Sequence, residues 1–139
     1  MFEKIKCFIL DMDGTIYLGN ELFPFTKDFL KKVEDTGREY YFFTNNSSKS
    51  QQDYIEKLER FGIRIKRQQM MTSTHVISRY LKQHYEGKSV YVVGTPSLIQ
   101  EFQYFGINVT EEDPDIVVLG FDTTLTYEKL SKACHYIRN

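Results

Sequence analysis

Ile5-Lys6-Cys7-Phe8-Ile9-Leu10 is an apolar run broken by a single lysine, and Asp11-Met12-Asp13-Gly14-Thr15 follows it directly. A short run without polar alternation predicts a strand buried on both faces, as in a parallel sheet. The pattern repeats down the chain. Tyr40–Phe43 is a second apolar run, and the polar turn Thr44-Asn45-Asn46-Ser47-Ser48 follows it. Met70–Thr72, Ser89–Val93 and Ile116–Leu119 are further short strands by the same reading.

Between the strands lie amphipathic stretches. Pro24 opens one whose apolar positions Phe25, Phe29, Leu30 and Val33 share a face, and Gly37 can end it. Ser50 with Asp53 has the spacing of a capping box, ahead of a helix that turns Tyr54, Ile55, Leu58 and Phe61 inward. Val76, Ile77, Tyr80 and Leu81 form the expected stripe of the next helix. Thr95 caps and Pro96 opens another, bearing Leu98, Ile99, Phe102 and Phe105. Thr126 caps a last helix bearing Leu130, Ala133, Cys134 and Ile137. Strands alternating with helices predict an α/β fold with a parallel sheet and right-handed crossovers.

The 139 residues carry a hydrophobic share of 41% and a net charge of −1, enough for a core and without the basic excess that nucleic acid or an anionic membrane would attract. No apolar run approaches the ~20 residues of a membrane helix, and the first residues lack the apolar stretch of a secretory signal. Cys7 and Cys134 are isolated, so they are expected to be reduced and buried, with the cytoplasm as the compartment.

In an open parallel sheet, ligands bind beyond the carboxyl ends of the strands. The residues to read are therefore Asp11–Thr15 and Thr44–Ser48. Two carboxylates two residues apart repel one another, and a hard cation with oxygen ligands, most simply magnesium, removes the repulsion. One carboxylate can then attack phosphorus, and the other can shuttle the proton. Gly14 lets the backbone pass close to a substrate. Thr44, Asn45 and Asn46 bring neutral donors to a turn that runs into a helix start, a natural place for an anion. Taken singly, an acidic pair is more often a solvated turn, and Thr-Asn-Asn-Ser-Ser more often a helix cap. Their occurrence after the first two strands of one pattern is the specific feature.

Asp11-Met12-Asp13-Gly14-Thr15 resembles the first signature of the haloacid dehalogenase superfamily. Phe43-Thr44-Asn45-Asn46-Ser47 is similar to the second signature of its NagD-like and p-nitrophenylphosphatase-like branch, as are Tyr17-Leu18-Gly19 and Val118-Leu119-Gly120-Phe121-Asp122. The resemblance implies a magnesium-dependent phosphatase acting on a small phosphorylated metabolite. Asp11 is then nucleophile and magnesium ligand, and Asp13 is general acid/base with its backbone carbonyl on the metal. Thr44 and Asn45 hold the phosphoryl oxygens, with Asn46 close by. It also implies a Rossmann-like core at residues 1–82 and the first half of an α/β cap at 83–139. The family's later lysine and Gly-Asp loop match nothing here: Lys129 and Lys132 lie on the cap's helix pattern. The chain is thus expected to be a fragment, poorly active by itself and prone to self-association as a homo-oligomer.

Other features carry less. His75, His84 and His135 are too scattered for a zinc cluster. Gly94-Thr95-Pro96 reads as a capped helix start, and Asp113, Asp115 and Asp122 read as surface loop. A phospho-acceptor signalling module resembling a response-regulator receiver would need a lone acceptor aspartate after a later strand, and none follows Met70–Thr72. A non-catalytic remnant that binds a partner or dimerises is the third reading.

Overall fold

The computed structural model describes residues 4–138. In chain order the elements are β1 (Cys7–Leu10), β2 (Tyr17–Leu18), β3 (Glu21–Leu22), α1 (Thr26–Asp35), β4 (Glu39–Thr44), α2 (Gln51–Arg60) and a 3-10 turn at Arg67–Gln69. Then follow β5 (Met70–Thr72), α3 (Ser73–His84), β6 (Ser89–Val93), α4 (Pro96–Tyr104), β7 (Asn108–Val109), β8 (Ile116–Leu119) and α5 (Tyr127–Arg138). The fold is α/β, with β1 and β4 parallel and β6 parallel to both β7 and β8. The chain divides into two compact units, Met1–Asn45 with Gln51–Met71, and Asn46–Ser50 with Thr72–Asn139.

The first unit is built on the sheet β1-β4-β5. Its core gathers Met12, Ile16 and Tyr17 from the loop after β1, Leu30 and Val33 from α1, Tyr40 and Phe42 from β4, and Tyr54, Ile55 and Leu58 from α2. The expected burial of the first strand on both faces does not hold. β1 lies at an edge of the sheet, Ile9 is 75% exposed and Cys7 is exposed, while Phe8 and Leu10 turn toward the core. β1 also begins two residues later than its apolar run. The backbone before it is held instead by Glu39 N–H donating to the Lys6 carbonyl (3.0 Å) and Arg38 Nε to that of Ile5 (2.8 Å). Phe25 likewise departs from its expected face. It is exposed at the start of α1 and stacks on Phe23. The β2–β3 hairpin, too short for any period-2 signal, is absent from the sequence reading.

The second unit is built on the sheet β7-β6-β8. Here β6 is the strand buried on both faces. Val90 and Val92 face Leu81, Leu98, Phe102 and Ile107, while Tyr91 and Val93 face Ala133. Thr95 caps α4 as expected, its hydroxyl oxygen accepting from Leu98 N–H at 3.2 Å with Pro96 in the first turn. The stripe expected on α3 holds in part. Ile77 and Leu81 turn to the core as expected, whereas Val76 and Tyr80 are exposed and the helix buries Thr74 and Ser78. Cys134 is exposed rather than buried, as are Leu130 and Ile137, and of the α5 stripe only Ala133 is covered.

Asp115 ties the start of β8 to that of β6. Its carboxylate accepts from Lys88 Nζ (2.7 Å), Ser89 N–H (2.8 Å) and Ser89 Oγ (2.9 Å). The Lys88 ammonium, helped by Ser89, lowers its pKa to about 2. A depressed carboxylate contributes stability that is full above its ordinary pKa of about 4 and fades as pH falls to about 2. Asp115→Asn should therefore lower the unfolding midpoint at pH 7 more than at pH 2. Chemical denaturation of both proteins across pH 2–7 measures this, and a constant difference would exclude the linkage.

Candidate active site

The loop after β1 is organised by Met12. Its side chain is fully buried, so the flanking Asp11 and Asp13 both project outward and are exposed. Its carbonyl oxygen accepts from the N–H groups of Thr15 (3.1 Å), Ile16 (2.9 Å) and Tyr17 (3.4 Å), closing a tight turn. Gly14 N–H donates to the Tyr17 carbonyl at 2.8 Å, and Asp13 and Tyr17 are bridged through their backbones. Thr26 Oγ1 donates to the Ile16 carbonyl at 2.8 Å and ties the turn to α1.

The parallel register pairs Leu10 with Phe42, so Asp11 emerges at the same end of the sheet as the β4 terminus. Alternation along β4 puts Thr44 on the buried side with Tyr40 and Phe42, and Asn45 beyond it is exposed. Asn46 belongs to the second unit. Its side-chain oxygen accepts from Ser48 N–H (3.0 Å) and Ser48 Oγ (2.7 Å), so that oxygen serves the turn itself. Thus Asp11, Asp13, Gly14, Thr44 and Asn45 share one unit and one edge of a sheet.

The sequence matches the family described as haloacid dehalogenase-like hydrolase over residues 8–108. The chain belongs to that family. It is 34% identical over 137 residues to a 5'-nucleotidase of Bacillus subtilis and 32% identical over 138 residues to an acid sugar phosphatase of Staphylococcus aureus. Each alignment covers 99% of this chain, and 54% and 53% of the relative. Among solved structures, a 4-nitrophenylphosphatase from Thermotoga maritima superposes with a TM-score of 0.91 at 42% identity, covering 96% of this chain and 51% of that one. NagD from E. coli K-12 gives 0.82 at 29% identity, covering 96% and 53%. The chain therefore spans about half the length of the relatives it matches. Membership of the haloacid dehalogenase-like hydrolases displaces the receiver-like reading.

Two residues of this haloacid dehalogenase-like chain escaped the chemical reading of the sequence. Tyr17 was legible only as part of a family signature, yet its ring is fully buried beneath the Asp11–Asp13 turn. Lys57 sits on the buried face of α2 with Tyr54 and Leu58, its Nζ 3.6 Å from the centre of the Tyr17 ring. A lysine inside an apolar helical stripe is ordinarily a stem lying along a surface, so spacing alone gave no reason to single it out.

In the second unit, Asp122 is not the surface aspartate that the sequence predicted. Its side chain is 2% exposed and accepts from Lys129 Nζ at 2.7 Å. Burial opposes its charge, but the hydrogen bonds from Lys129 and Thr124 outweigh that and hold its pKa below the usual range. Lys129 Nζ also donates to the Gly94 carbonyl (2.9 Å) and Thr124 Oγ1 (2.9 Å), which explains its place as an internal tie. Asp113 and Asp115 are exposed, as expected.

Gly14 has φ +81°, and a Cβ built there would meet nothing within 4 Å. The constraint is conformational, so Gly14→Ala should cost about 1–2 kcal/mol and Gly14→Asn less. Equilibrium denaturation of the three proteins checks the order.

Proposed function

We propose that the protein is a magnesium-dependent phosphomonoester hydrolase that works through an aspartyl-phosphate on Asp11, with a small phosphorylated metabolite as substrate. The observation that carries this reading is the exposed Asp11–Asp13 pair at the carboxyl end of β1, beside the parallel β4 that ends in Thr44 and Asn45. The names of the relatives, a 5'-nucleotidase, an acid sugar phosphatase and a 4-nitrophenylphosphatase, support the same reaction class.

Among the described residues no group of three or more His, Cys, Asp or Glu side chains is arranged to hold a metal. Two outward carboxylates nevertheless suit magnesium, which takes one or two carboxylates and keeps several waters. Asp11 and Asp13 would hold it, and when bound it would offset the charge on the carboxylates and the phosphate. The Asp11 carboxylate attacks phosphorus, and the bond to the ester oxygen breaks as the new O–P bond forms. Asp13 gives its proton to the departing oxygen and then takes one from the water that hydrolyses the acyl phosphate. Thr44 and Asn45 supply neutral donors to the phosphoryl oxygens, with Asn46 next in sequence.

We read residues 1–82 as core and 83–139 as the first half of the cap, on the resemblance to the family. The cap chooses the leaving group on closure, and the exposed Leu130 and Ile137 on α5 support self-association. The unpaired cysteines support a reducing, cytoplasmic setting, and no helix among the described residues is long and apolar enough to cross a membrane.

In the full-length protein, Asp11→Asn should leave no acid-stable phosphoenzyme on quenching with labelled substrate. Asp13→Asn should slow turnover by about 10²–10⁴. Undiminished hydrolysis of p-nitrophenyl phosphate by Asp11→Asn would refute the nucleophile assignment.

A further inference from the structure

The Tyr17 hydroxyl poses a problem that packing does not answer. The residue is 0% exposed, and its oxygen is buried without a formed hydrogen bond. A buried donor left unpaired is costly, and native structures rarely keep one without a reason. Nothing about the ring demands a hydroxyl. Phe61 packs against it at 5.6 Å between centroids, and Lys57 covers its face at 3.6 Å. Phenylalanine would meet the same neighbours equally well.

The hydroxyl does have an acceptor facing it. Burial raises the Tyr17 pKa most, and the carboxylate of Asp13 adds to that before those of its other neighbours. A phenol keeps its proton at neutral pH in any case, so the hydroxyl is a donor. The backbone holds it in this relation to Asp13. Tyr17 N–H donates to the Met12 carbonyl, the Tyr17 carbonyl accepts from Gly14, and the two residues bridge across the turn. Tyr17 and Asp13 thus belong to one closed turn, and hydrogen bonds in active sites without ligand commonly tighten on binding.

We infer that Tyr17 is a positioning residue for Asp13, its phenolic O–H donating to one carboxyl oxygen so that the other faces the ester oxygen of the substrate. This rests on the reading of Asp13 as general acid/base. In the transfer step the O–P bond from Asp11 forms, the bond to the leaving oxygen breaks, and the proton delivered comes from Asp13. Tyr17 keeps its own proton throughout. Its contribution is to hold one rotamer of a short, exposed side chain, and loss of such alignment costs rate more than substrate affinity.

The test is Tyr17→Phe in the full-length protein, assayed with p-nitrophenyl phosphate and magnesium, alone and combined with Asp13→Asn. The expected result is a kcat lowered about ten- to hundredfold with KM within twofold. The thermal midpoint should equal or exceed that of the parent, because an unpaired buried hydroxyl has been removed. In the Asp13→Asn background the same substitution should cost nothing further. A kcat within twofold of the parent overturns the inference, as does a loss that simply multiplies that of Asp13→Asn. A midpoint that falls together with kcat assigns the hydroxyl a structural role and overturns it too. Undiminished turnover by Asp13→Asn alone sinks the acid/base reading beneath it, whereas a slow Asp13→Asn beside a fully active Tyr17→Phe removes only the positioning role.

Discussion

The burial of one side chain, Met12, sets the geometry of everything around it. With that side chain in the core, Asp11 and Asp13 on either side of it are both exposed. Two carboxylates pushed out together repel one another. The Met12 carbonyl meanwhile gathers three N–H groups and turns the chain back on itself within five residues. Gly14 takes the positive φ that this turn requires. The parallel neighbour β4 then matters because it ends at the same sheet edge.

Much of this was legible in the sequence because the signals were local. Strand runs, the Thr95–Pro96 helix start and the order of strands and helices follow from apolar periodicity and capping chemistry, and all appear in the structure. What stayed hidden depended on neighbours. An apolar run fixes the preference for a strand, not its place in the sheet, so β1 and β6 read alike although one is an edge and the other a centre. On α3 the small polar residues Thr74 and Ser78 are buried while Val76 and Tyr80 are exposed, which an apolar stripe does not anticipate.

Of the candidate site, Asp11, Asp13, Gly14 and Asn45 stand at the sheet edge that their spacing implied. Thr44 stands there too, though its side chain lies on the buried face, a detail set by strand alternation that a motif does not encode. Asp122 was misread for a related reason. Its partner Lys129 is seven residues away across a turn, and only the fold shows that the two are locked together with the Gly94 carbonyl. A buried ion pair of this kind is costly to break by removing one partner, which leaves the other charge uncompensated.

The two units thus handle charge differently. In the second, Asp122 is buried and neutralised internally by a lysine, so its charge is committed to holding two loops together. In the first, Asp11 and Asp13 are left exposed, so their charge is available to a ligand. Exposed positions also carry little of the folding free energy, since surface substitutions usually change stability by less than about 0.5 kcal/mol. The stability of the first unit rests instead on buried neighbours such as Met12, Phe42 and Leu58. The exposed carboxylates and the scaffold are therefore nearly separable here, and substitutions at Asp11 or Asp13 should leave unfolding nearly unchanged. Tyr17 is where the separation fails, because its ring belongs to the core and its hydroxyl faces a carboxylate. Phe61 and Lys57 pack against that ring, so the core fixes where the hydroxyl stands.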